Sequence, residues 1–193
     1  MMKYPIKRKP QEKIHQYANL GMTLEADIEE TNLYYLSHEI AVIYKKPTPV
    51  QVVSVSYPAR NKAKITEAYY KTPSTTDFNG LYQGHYIDFD VKETNSKTSM
   101  PLKNIHPHQI QHLKHVSNHG GIAFIIVHFK MHRTYFLLPI SILSSYWEAK
   151  DQPTGRKSIP YHVFKEKGFE IPFGFKPRLD YLKAVDLLIA TIK

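Results

Sequence analysis

Residues 122–129, IAFIIVHF, are almost wholly apolar. A strand with one wet face alternates polar and apolar side chains. A run without alternation suits a strand covered on both faces, which needs a layer of structure on each side. The rest of the chain supplies candidates for those layers. A helix is expected from near Gly21 to about His38, with Thr23 as N-cap and Glu25 and Asp27 in the first turn, where negative charge is favoured. Residues 41–46 and 50–57 read as β segments rich in branched side chains, separated by Pro47 and Pro49. Residues 62–71 could be extended or helical. Residues 86–92 read as a strand, 106–118 as a helix stopped by Gly120 and Gly121, and 134–140 as another strand. Helices are expected at 140–150 and 177–193. This order of helices and strands predicts an α/β fold, a central mixed sheet flanked by helices. Residues 19–193 carry no internal linker and read as one domain. Residues 1–18 hold five Lys or Arg against one acid and read as a mobile basic arm.

Twenty-six Lys and Arg against seventeen Asp and Glu give a formal net charge of +9, which favours a polyanionic partner. There is no cysteine, so disulfides and thiolate metal sites are excluded. No run is long and apolar enough for a membrane helix, and the opening MMKYPIKRKPQEK lacks the apolar stretch of a secretory signal. A cytoplasmic location with no membrane partner is therefore expected. No phosphate loop of the G-x-x-x-x-G-K-[ST] kind occurs, so ATP hydrolysis is not expected.

YIDFDVK, residues 86–92, alternates. Ile87, Phe89 and Val91 point to the core, and Tyr86, Asp88, Asp90 and Lys92 point the other way. Asp90 and Lys92 thus stand about 6.5–7 Å apart on one face. A further acid, Asp77, lies upstream, beside Asn79-Gly80, which reads as a turn. Two carboxylates suit Mg²⁺, which takes few protein oxygens and keeps places for water and phosphate. Such an ion acidifies water and offsets charge at phosphorus. Lys92 can position the attacking water and oppose the developing charge. On composition and spacing alone, a metal-dependent phosphodiesterase competes with an ordinary strand whose outer face happens to read D-x-D-x-K.

Several separated stretches sharpen this. GMTLE (21–25), AVIYKKPTPVQVV (41–53), YPAR (57–60), EAYYKTPSTTDFNG (67–80), GHYIDFDVKET (84–94), HPHQIQH (106–112) and GRKSIP (155–160) occur in that order. On these residues the chain resembles the RecU family of Holliday junction resolvases, within the PD-(D/E)xK nuclease superfamily. The resemblance implies the restriction-endonuclease-like fold with a projecting stalk at about residues 54–72. It implies a homodimer that binds four-way junctions and cuts them in pairs with Mg²⁺, or Mn²⁺ as a substitute, leaving 5′-phosphate ends. It also links the chain to a RecA-type recombinase and a branch-migration helicase. The catalytic pattern falls on Asp77, Asp90 and Lys92, with Asp77 and Asp90 as metal ligands. Asp90 stands where the family usually has Glu. Glu25, on the first helix, and Gln109, on the second, occupy places where related nucleases carry groups that approach or support the metal. Their plain alternatives are a helix-start charge and a surface polar residue.

Arg60, Lys62 and Lys64 alternate, and Tyr57, Tyr69 and Tyr70 interleave aromatic rings with that charge. The combination suits phosphate contact and stacking on exposed bases, and Arg60, Lys62, Lys64 and Tyr70 are the expected DNA contacts. His108 and His112, four residues apart, could seat a transition metal. No adjacent glutamate completes a H-E-x-x-H motif, so these histidines read as decoration beside the apolar stripe of Ile110, Leu113 and Val116. Two other readings stand beside the resolvase: a nuclease for linear duplex, and a protein that binds junctions without cutting them.

Overall fold

Thr23 starts the first helix, its hydroxyl accepting the Ala26 N–H at 3.3 Å. A computed structural model of the chain describes residues 23–59, 62–71 and 75–192. In chain order the helix α1 (Leu24–Ser37) is followed by β1 (Val42–Lys45), β2 (Val50–Ser56), β3 (Lys64–Tyr70), β4 (Phe78–Tyr82), β5 (His85–Thr94) and β6 (Ser99–Pro101). Then come α2 (Pro107–Asn118), β7 (Ile122–Phe129), β8 (Thr134–Pro139), α3 (Ile140–Ala149), β9 (Ser158–Pro160), α4 (Tyr161–Lys167), β10 (Phe169–Ile171) and α5 (Leu182–Ile192).

The main sheet has six strands in the order β1-β4-β5-β7-β8-β10. β5 and β7 are parallel, and the other neighbours are antiparallel, so the sheet is mixed as expected. β7 lies near the middle, and its alternate residues enter two different cores. Ile122, Phe124 and Ile126 pack with α1 and α5 through Leu24, Ile28, Tyr35 and Val185. Ala123, Ile125 and Val127 pack with α2, α3 and α4 through Leu113, Leu143 and Phe164. This two-sided burial is why the run shows no alternation. Phe78, Phe89 and Phe124 stack across three adjacent strands, with ring centroids 5.1 and 4.9 Å apart, and tie β4, β5 and β7 together.

The structure corrects several expectations. Asn79-Gly80 is not a turn but lies inside β4, paired with Tyr44 and Ile43 of β1. A Cβ at Gly80 would stand 2.1 Å from the Val42 carbonyl oxygen, so glycine here permits close strand approach. The turn falls at Gln83 and Gly84, both with positive φ, as a tight hairpin turn requires. Residues 64–70, left open between helix and strand, form β3. The last helix starts at Leu182, not at 177. The short elements β6, β9, α4 and β10 had no periodic signal long enough to read. The arm at residues 1–18 lies outside the described residues.

β2 and β3 form a separate two-stranded ribbon between β1 and β4. All its residues except Val55 are exposed. It begins at Val50, four residues before the insertion expected at about 54.

Candidate active site

β5 carries the site because it is both central and amphipathic. Ile87 and Phe89 face α1 and α5, which aims Asp88, Asp90 and Lys92 at α2. An ordinary strand with D-x-D-x-K on its outer face would leave that face half-exposed. The structure instead buries Asp88 and Asp90 completely, because α2 covers that face as well.

Asp77 sits just before β4. Its Oδ2 accepts the Val91 N–H of β5 at 3.2 Å, and its carbonyl oxygen accepts the Lys46 N–H at 2.7 Å. The Asp77 carboxyl thereby lies against Asp90. The Asp90 Oδ2 forms an ion pair with the Lys92 ammonium, and its Oδ1 accepts from the Gln109 Nε2 at 2.7 Å. Burial pushes the Asp90 carboxyl up to about 8; Lys92 opposes that rise and Asp77 adds to it.

Gln109 is buried, not a surface residue. Pro107 opens α2, and the Gln109 Oε1 accepts the N–H of His106 at 3.1 Å. One amide thus closes the start of the helix and points its nitrogen at Asp90. His108, next to it, has Nε2 buried without a hydrogen bond. Burial lowers its pKa, with His106 and Lys92 adding to the effect.

The structure therefore brings Asp77, Asp90, Lys92 and Gln109 together. Glu25 stands in the first turn of α1 and pairs with Lys45 at 3.3 Å. That turn is fixed by Glu93 on the opposite face of β5, which accepts the Leu24 N–H at 3.3 Å and pairs with Lys130 at 2.8 Å. Burial would raise the Glu93 pKa, but hydrogen bonds from Lys130, His128 and Leu24 hold it below the ordinary value.

Of the expected DNA contacts, Lys62, Lys64 and Tyr70 are exposed on or beside the ribbon, Tyr70 by 83%. Arg60 lies outside the described residues.

Sequence reasoning missed Lys46, Thr76 and His112, all gathered on Asp88. His112 was read as helix decoration; its Nε2 instead lies 2.9 Å from the Asp88 carboxylate. The only available signal was that Asp88 shares the strand face of Asp90.

The donors fit a hard divalent cation. Asp77 and Asp90 offer carboxylate oxygens, and Asp90 Oδ2 has no hydrogen bond beyond its ion pair. Among the described residues no three His, Asp or Glu side chains converge on one point. Two carboxylates would leave the remaining positions to water and phosphate, which is how Mg²⁺ is commonly held. A buried carboxyl this reluctant to ionise gains most from a cation.

A mixed sheet whose central strand carries Asp-x-Lys beside a second aspartate is the arrangement of the PD-(D/E)xK nuclease class. Within it, the chain belongs to the RecU family: the model of that family, Recombination protein U, matches residues 19–187. "Holliday junction resolvase RecU" of Staphylococcus aureus strain JH9 is 52% identical over 174 residues, covering 90% of this chain and 83% of that protein. The protein of the same name from strain COL gives the same figures. Among solved structures, Archaeoglobus fulgidus Hjc, a Holliday junction resolvase, aligns with a TM-score of 0.41 at 11% identity, over 72% of this chain and 88% of that one.

Proposed function

We propose that the protein is a Holliday junction resolvase, an endonuclease that makes paired, metal-dependent cuts in four-way DNA junctions during recombination and repair. Family membership across nine-tenths of the chain supports the substrate. The cluster of buried Asp90 with partly buried Asp77 and Lys92 supports the chemistry.

Asp77 and Asp90 would hold Mg²⁺, or Mn²⁺ in its place. When bound, such an ion supplies Lewis acidity and positive charge against the phosphate. Lys92, tethered to Asp90, orients the attacking water and opposes charge that develops on the phosphoryl oxygens. Gln109 fixes the Asp90 rotamer from α2. Glu25, paired with Lys45 in the first turn of α1, approaches the metal directly or through water. Attack of water at phosphorus with departure of the 3′ oxygen leaves a 5′-phosphate and a 3′-hydroxyl. Lys62, Lys64 and Tyr70 of the ribbon, with Arg60 between its strands, contact junction backbone and bases. Two copies about a two-fold axis present the site twice, which suits paired cuts in strands of like polarity. A cytoplasmic setting with a RecA-type recombinase and a branch-migration helicase as partners completes the proposal.

Asp77→Asn tests the site. Cleavage of a labelled junction should fall at least ~100-fold, beyond the usual cost of losing an outer-shell partner. Junction affinity, measured by gel shift in EDTA, should stay within about twofold, since no phosphate contact is removed. Cleavage at the parent rate would place the metal elsewhere.

A further inference from the structure

Asp88 lies two residues before Asp90 on the same strand face and is fully buried. Its two oxygens meet four polar groups. Oδ1 accepts the Thr76 hydroxyl. Oδ2 accepts from the Lys46 Nζ at 2.7 Å and the Tyr86 hydroxyl at 2.9 Å, and meets the His112 Nε2 at 2.9 Å. A carboxylate has about four lone-pair sites, and here both oxygens are already engaged by protein groups, Oδ2 by three of them. This separates the two aspartates of one strand face: the Asp90 Oδ2 pairs with the Lys92 ammonium, whereas three groups converge on the Asp88 Oδ2.

Asp88's partners converge on the residues that place Asp77. Thr76 directly precedes it. Lys46 donates from Nζ to the Thr76 Oγ1 at 2.8 Å and from its backbone N–H to the Asp77 carbonyl at 2.7 Å. The segment entering β4 is therefore gripped at Thr76 and at the Asp77 carbonyl by groups that rest on the Asp88 carboxylate, while the Val91 N–H of β5 holds the Asp77 side chain. His112 joins α2 to the same point, one helical turn beyond Gln109, which holds Asp90.

We propose that Asp88 is a positioning residue: through Thr76 and Lys46 it sets where the Asp77 carboxylate stands relative to Asp90, and so sets metal affinity and turnover. The inference rests on the metal-site reading above.

The test uses the full chain. Mn²⁺ binding is measured by calorimetry without DNA, junction cleavage in steady state, and melting in EDTA. The proteins are the parent, Asp88→Ala, Asp88→Asn, the double variant Lys46→Met with Asp88→Leu, and Asp77→Asn. Asp88→Ala should weaken Mn²⁺ binding tenfold or more. It should lower kcat about 10–100-fold, the usual cost of losing an outer-shell partner, with KM changed less than about twofold. Asp88→Asn, which keeps one oxygen for the Thr76 hydroxyl, should fall between Asp88→Ala and parent. The double variant leaves no buried charge alone, so it should regain the melting temperature that Asp88→Ala loses. It should not regain Mn²⁺ affinity.

The proposal is overturned if Asp88→Ala binds Mn²⁺ within twofold of parent. It is equally overturned if affinity recovers together with melting in the double variant, which would make Asp88 a stabilising group only. Asp77→Asn tells the two levels apart. Loss of Mn²⁺ binding there with none in Asp88→Ala would sink this inference alone, whereas parent-like binding in Asp77→Asn would sink the metal-site reading itself.

Discussion

Asp90 is the carboxyl of the candidate site whose protonation the fold shifts most. Burial moves its carboxyl from the 3.8 of a free aspartate to about 8. Between those values the folded protein holds a proton that the unfolded chain has released. Stability from this group is therefore greatest at acid pH and is lost as pH rises through that window. In metal-free buffer, Asp90→Asn should come closest to the parent's melting temperature at or below about pH 3.8 and exceed it increasingly up to about pH 8. Adding Mn²⁺ at pH 8 should raise the parent's melting temperature and leave the variant's unchanged. A gap between the two proteins that stays constant with pH would contradict the assigned shift. At this scale Asp90 and Lys92 were legible, because the two-residue period of a strand places them on one face regardless of the rest of the fold. The role of Asp88 was not: its partners Lys46 and His112 lie 42 and 24 residues away in sequence, and no local pattern announces them. Asp88 and Asp90 read alike in sequence; only their partners make one a clamp and the other a candidate ligand.

Among the elements, the ribbon of β2 and β3 is the odd one. An isolated two-stranded ribbon is marginal in water, yet this one exposes Val50, Val52, Val53, Ile65, Tyr69 and Tyr70. Apolar rings beside Lys62 and Lys64 suit DNA better than water. Lys64→Ala should weaken junction binding severalfold and make its salt dependence shallower by about one ion. Metal binding in the absence of DNA should be unaffected. An unchanged salt slope would remove Lys64 from the backbone contacts. The long elements were readable because each keeps one period: α1, α2, β5 and β7 fall close to their expected spans. The misreadings have physical causes. Asn79-Gly80 carries turn chemistry, but its glycine serves close approach of β4 to β1. β6, β9 and β10 are three residues each, too short to show a period, and are fixed by tertiary pairing.

For the molecule as a whole, the fold explains why this strand face carries the site. The sheet is covered on both sides, so a polar cluster on β5 is buried and α2 can aim Gln109 and His112 into it. The ribbon leaves the sheet between β1 and β4, beside the strand that presents Asp77. The proposed cutting groups and the proposed DNA contacts are thus built on neighbouring segments. A net charge of +9 supplies the long-range attraction to a polyanion. The central claim is selectivity for a branched substrate. It is tested most directly by incubating the protein with a labelled four-way junction and a linear duplex of the same sequence, in Mg²⁺, in Mn²⁺ and in EDTA. Paired cuts in the junction with either metal, little cutting of the duplex and none in EDTA are expected. Equal cutting of both substrates, or tight junction binding with no cutting in either metal, would contradict it.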